Sequence, residues 1–95
     1  MPNYEENNQY IAKAKAEAVQ AWSNSSAGKS RKLDVSQMHV CWFSKTLQNW
    51  KALVSTDAYD GVYIEVTYNG DTLQCYVDIY TRVANCAIPD EDLKM

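Results

Sequence analysis

Few side chains in this sequence are of types and spacings that could carry out a reaction. His39 is the only histidine, so a zinc-type cluster of histidine and cysteine at ligand spacing cannot be assembled from it. Cys41 stands two residues on, and residues two apart in a strand share a face, so a thiol with a neighbouring base is the one local catalytic pairing. Side-chain packing accounts for both residues equally well. Glu65 and Asp78 are carboxylates with no defined separation, and Gly28-Lys29-Ser30 lacks the upstream glycine of a phosphate-binding loop. The expectation is a protein that is not an enzyme and that uses neither a metal nor a cofactor.

Groups suited to binding are more plentiful. Tyr63, Tyr76 and Tyr80 fall on one face of a hairpin, with Glu65, Gln74 and Asp78 between them. Aromatic faces stack on bases, and carboxylates or amides read a base edge or ribose hydroxyls. Lys45, Lys51, Arg82 and the Lys29-Arg31-Lys32 cluster supply partners for phosphate. A second candidate is the polar stretch Lys45-Thr46-Leu47-Gln48-Asn49, between Trp42 and Trp50. Lysine and glutamine are not turn formers, so their presence there calls for another reason, such as a ligand. The expected ligand-binding set is therefore Lys45, Thr46, Gln48, Asn49, Lys51, Tyr63, Glu65, Tyr76, Asp78, Tyr80 and Arg82. The competing reading is that the tyrosines pack against a helix or a second subunit, and that the loop closes its own backbone bonds.

The element that must position most of these residues runs from Gly61 to Tyr80. Val62, Ile64, Val66 and Tyr68 alternate with Tyr63, Glu65 and Thr67; Leu73, Cys75, Val77 and Ile79 alternate with Gln74, Tyr76, Asp78 and Tyr80. Period two makes both runs strands. Asn69-Gly70 between them is the signal for a two-residue type I′ turn. Such a turn sets Val66 opposite Leu73, Ile64 opposite Cys75 and Val62 opposite Val77, all apolar pairs. On the other face it sets Tyr63 opposite Tyr76, Glu65 opposite Gln74 and Thr67 opposite Thr72.

Upstream, Asn3 to about Ser23 reads as a helix rich in alanine, with Asn3 as N-cap and Glu5 and Glu6 in its first turn. Tyr10 or Ile11, Ala14, Ala18 and Trp22 make a narrow apolar stripe, and Lys13 and Glu17 stand four apart on the wetter side. Residues 24–36 read as a mobile polar linker, whose Lys29-Arg31-Lys32 cluster could act as an arm over an anionic partner. Met38–Ser44 and Trp50–Thr56 read as a first pair of strands, and residues 89–95 as an acidic tail. The sum is an α+β single domain over residues 1–95: a helix packed on a four-stranded antiparallel meander spanning about 37–84.

Composition narrows the class further. Ninety-five residues suffice for one modest core, and a domain of this size gains from oligomerisation. The net charge of −3 disfavours general nucleic-acid binding, which rests on a basic footprint. Three cysteines without a C-x-x-C spacing point to a reducing compartment. The start lacks the basic and apolar regions of a signal peptide, and no apolar run approaches a membrane span.

The stretch from Trp42 through Lys45-Thr46-Leu47-Gln48-Asn49 and Lys51-Ala52-Leu53 to Ser55-Thr56 resembles a small family encoded by phages and prophages of Gram-positive bacteria. Asp60-Gly61-Val62-Tyr63-Ile64-Glu65-Val66-Thr67-Tyr68-Asn69-Gly70-Asp71, followed by Tyr76, Asp78 and Tyr80, is similar to the same family. Its pattern is W-x-x-K-T-L-Q-N-x-K-A-L-x-S-T, then D-G-x-Y-x-E-[VI]-T-Y-N-G-D, then Y-x-D-x-Y. The family's function is unknown, so the resemblance carries no site residue. It implies a setting: a phage protein in the cytoplasm of a bacterial host. In that setting the first expectation is a counter-defence sponge, a homo-oligomer that sequesters a nucleotide-like host immune signal without cleaving it. The alternative is an inhibitor that binds a host defence protein or nuclease directly.

Overall fold

The computed structural model describes residues 4–92. Helix α1 (Tyr4–Asn24) packs on one face of a four-stranded antiparallel sheet of strands β1 (Met38–Thr46), β2 (Asn49–Thr56), β3 (Val62–Asn69) and β4 (Gln74–Thr81). The spatial order is β1-β2-β3-β4, an α+β meander as the sequence leads one to expect. The N-cap assigned to Asn3, the side chains of Glu5 and Glu6, and the last three residues of the acidic tail lie outside the described residues.

The apolar stripe of α1 is its contact face. Ala14, Ala18 and Trp22 are fully buried, and the small alanine side chains let the helix approach the sheet closely. Beneath them lie Ala52 and Val54 of β2 and Ile64 and Val66 of β3, each without exposed surface. Trp22 closes the far end of the core, stacking on Tyr59 with ring centroids 6.1 Å apart. Tyr10 fills the near end against Phe43 and Trp50, each at 6.2 Å. Lys13 and Glu17 form the expected pair on the helix surface, at 3.5 Å.

The connection from α1 to β1 differs from the mobile linker of the sequence reading. It contains 3₁₀ turns over Ala27–Lys29 and Val35–Gln37 and buries Leu33. Trp22 Nε1 donates to the Arg31 carbonyl at 2.6 Å, and Tyr59 donates its hydroxyl proton to the Lys32 carbonyl at 2.9 Å. The Arg31 guanidinium lies 5.2 Å from the centroids of both rings, a cation–π position, so its charge is engaged by the chain itself. Asp34 caps the second turn by accepting from the Ser36 amide at 3.0 Å and its hydroxyl at 2.5 Å, which holds its carboxyl below the usual range.

The central hairpin takes a different register from the one its turn signal implies. Val66 pairs with Val77, Ile64 with Ile79, Val62 with Thr81 and Tyr68 with Cys75. The displacement is an even number of residues, so the face each side chain occupies is preserved and only its partner changes. Asn69 Oδ1 accepts from the Asp71 and Thr72 amides at 2.9 and 3.3 Å, so the chain reverses over Gly70–Leu73 with Leu73 at φ 57°. Neither Asn69 nor Gly70 has the positive φ that a type I′ turn demands.

Gly70 is required for another reason. Its amide donates to Asn49 Oδ1 at 2.8 Å, and a Cβ there would lie 2.2 Å from the Gln48 carbonyl oxygen. Gln48 Nε2 in turn donates to Asp71 Oδ1. The tips of the two outer hairpins are thereby locked together. Gly70→Ala should lower the melting temperature by the equivalent of about 1–3 kcal/mol, the usual cost of overpacking. Leu73→Gly, which relieves a left-handed leucine that is 76 % exposed, should raise stability by about 1 kcal/mol. Thermal melts followed by circular dichroism check both; equal effects of the same sign would refute the tip lock.

Candidate functional site

One helix covers one face of the sheet, and strand alternation puts a second set of side chains on the opposite, open face. The register aligns them in rows across the strands: Ser55, Tyr63 and Tyr80; then Trp42, Leu53, Glu65 and Asp78; then Ser44, Lys51, Thr67 and Tyr76. Asn49 and Thr46 follow at the hairpin tips. Trp42, Tyr63, Tyr76 and Tyr80 are each about half exposed, between 47 % and 56 %. Four large aromatic side chains on one flat face are an unusual outlay for a surface with no packing duty.

The charges on this face are arranged around its centre. Glu65 stands directly across from Asp78, a like-charge pairing that costs stability in a sheet. Lys51 Nζ lies 3.6 Å from Glu65 and offsets part of that repulsion. At the rim, Arg82 reaches Asp60 at 2.8 Å, and its amide donates to the Gly61 carbonyl at 2.9 Å. Gly61 sits at φ +79°, and a Cβ on it would lie 2.8 Å from Arg82 Cβ, so the rim arginine is seated by a residue that only glycine suits.

Two shallow hollows mark the face. One of about 280 Å³ is bounded by Tyr63, Tyr80 and Arg82 with Gly61 and Thr81. The other, of about 220 Å³, lies by Trp42, Ser44, Thr46, Asn49 and Lys51. Each is smaller than the roughly 300–1,000 Å³ of an ordinary ligand pocket, and both are open to solvent.

Against the sequence expectation, Thr46, Asn49, Lys51, Tyr63, Glu65, Tyr76, Asp78 and Tyr80 share the open face, and Arg82 joins it at one end. Lys45 does not: it lies on the helix side, over the Tyr10 ring at 5.5 Å, with its ammonium donating to the Leu47 carbonyl. Gln48 and Asn49 have the tip lock as an intramolecular use. Trp42 was not among the expected site residues, because a β-bulge between Val40 and Trp42 hands it to the open face and sends Phe43 to the core. Unbroken alternation would have placed it on the helix side. The same bulge removes Cys41 from regular alternation with His39.

Residues 10–90 match the model of a family of unknown function, DUF6275. The chain belongs to that family. The match to DUF6275 takes in most of α1, the connection and the whole sheet, so the open face lies inside the family's domain. No curated protein and no solved structure matches the chain. Among the described residues of this DUF6275 chain there is no group of three or more metal-ligating side chains, and no helix is long and apolar enough to cross a membrane.

The three thiols of the fold differ in a way that tests it. Cys41 and Cys86 are exposed, whereas Cys75 is half-buried on the helix side of β4. Burial pushes the Cys75 thiol pKa up, and the nearby Glu17 charge adds to this while Lys13 opposes it. Labelling with a disulfide reagent at pH 8 should show two fast thiols and one slow one, with Cys41→Ser and Cys86→Ser each removing a fast phase. Because the folded state holds this proton more tightly, the Cys75 contribution to stability is full below the ordinary thiol range. It is lost as pH rises through the raised value.

Proposed function

We propose that this chain is a non-catalytic binding protein that works through the open face of its sheet and blocks a surface of another protein. The observation that carries the reading is the set Trp42, Tyr63, Tyr76 and Tyr80, half exposed on the sheet face opposite the helix, where the hollows are small and open to solvent. Tryptophan, tyrosine and arginine are the residues that dominate binding energy at protein interfaces, and a face without a deep pocket suits a protein surface better than a small molecule. In the phage setting that the sequence resemblance implies, the target would be a host defence protein or nuclease.

A second reading keeps one specific observation in its favour. The hollow between Tyr63 and Tyr80 ends at Arg82, which joins a stacking surface to a phosphate partner, the combination needed to hold a nucleotide-like signal. Against it stand the carboxylates of Glu65 and Asp78 beside the site, and Asp60 already on Arg82.

Immobilised full-length chain, challenged with bacterial lysate and compared with Trp42→Ala and Tyr80→Ala, separates the two. The protein-blocking reading expects one host protein retained by the parent, with affinity lowered about 30-fold or more by either variant, as for an interface hot spot. Capture of the same proteins by all three chains overturns it. A nucleotide released on denaturing the purified parent, together with a thermal shift of several degrees on adding that nucleotide, would establish the second reading instead.

A further inference from the structure

We propose that the segment Arg82–Ile88 is an exchange arm: in a homodimer the arm of each copy pairs along the free edge of β4 in the other. After Thr81 the chain runs on to Pro89 without regular structure, and all of these residues are exposed. Val83 is 100 % exposed and Ile88 59 %, so the arm's own apolar groups contribute little to this chain's core. Strand alternation puts Ala84, Cys86 and Ile88 on one side, beyond Arg82 at the root, and Val83 with Asn85 and Ala87 on the other. Its root is fixed by the Arg82–Asp60 ion pair and the bond from the Arg82 amide to Gly61.

The two edges of the sheet are not equivalent. Edge strands normally carry bulges, inward charges or proline that deter further pairing. β1 has such a bulge at Cys41. β4 pairs with β3 without a register break and bears a single charge, Asp78, in eight residues. Its helix-side residues Val77 and Ile79 are only half-buried, whereas their partners Val66 and Ile64 in β3 are buried, and Cys75 and its partner Tyr68 are both half-buried. An unguarded edge with a half-covered apolar side therefore lies next to an unpartnered apolar segment of matching length, which Pro89, lacking an N–H, brings to a stop.

Surface and shape agree with a missing second copy. A folded chain of this mass is expected to expose about 5,500 Å² and to have a radius of gyration near 12 Å. This one exposes 6891 Å² with a radius of 15.8 Å. The excess, about 1,400 Å², is larger than the roughly 800 Å² that one partner buries in a standard interface, and the exposed arm itself contributes to it. Because the arm follows β4 directly, exchange is reciprocal and closes by a two-fold axis. The open face stays free, so the inference stands apart from the proposed function.

Sedimentation velocity on the full chain tests it. The expected result is a dimer of twice 10.8 kDa, converted to monomer by Val83→Asp with Ile88→Asp and left intact by Ser44→Asp on the open face of β1, away from the β4 edge. Both arm positions are solvent-exposed within one chain, so the arm variant should keep the parent's circular dichroism spectrum while its melting temperature loses any dependence on protein concentration. A parent that is monomeric over the concentration range, a dimer that survives the arm substitutions, or an open series of larger species would each overturn the proposal.

Discussion

A single helix must cover a sheet that is too wide for it, and the rest of the structure follows from that mismatch. An α-helix with its side chains is about 10–12 Å across, whereas four strands span on the order of 15–20 Å. The stripe Ala14–Ala18–Trp22 therefore seals β2 and β3, where the facing side chains have lost their solvent, and leaves the helix side of β4 half-wet. Among the described residues nothing covers the opposite face. A protein with one modest core has placed four of its large polar-tipped aromatics, Trp42, Tyr63, Tyr76 and Tyr80, where they add little to that core. Both the open face and the unguarded edge arise from that economy of covering elements.

Rigidity is the second theme. A flat face is useful for binding only if it does not pay an ordering cost on contact, and the meander supplies this in two places. At one end the tips of both outer hairpins are tied through Gln48, Asn49, Gly70 and Asp71. At the other, the connection from α1 is pinned to Trp22 and Tyr59, with Arg31 against both rings. The lysine and glutamine that look out of place in a turn are thus partly accounted for by architecture. Of the basic cluster that looks like an anion-seeking arm, Arg31 is likewise held down by aromatic contacts, while Lys29 and Lys32 stay exposed.

The architecture was legible in the sequence wherever period and composition act locally. Alternation fixed which residues of β3 and β4 face the helix, and the alanine-rich stripe identified the buried side of α1. What escaped were decisions made between segments. The Asn69-Gly70 signal failed because the Asn69 side chain satisfies two loop amides, and because Gly70 is needed for its closeness to Gln48 in another hairpin. The open face of tyrosines and carboxylates was legible as a face. Its pairing of Glu65 with Asp78 was not, since that depends on a register that a distant contact sets.

The bulge at Cys41 has a consequence for how such a surface can change over generations. Beyond this one residue the parity of β1 is inverted, so Trp42 belongs to the outer face and Phe43 to the inner one. Straightening the bulge while keeping Cys41 would exchange their places, whereas losing Cys41 itself would leave both where they are. A lineage carrying this fold can therefore gain or shed one codon at this point of an edge strand without disturbing its outward chemistry. The middle strands, on which the fold rests, would be left as they are.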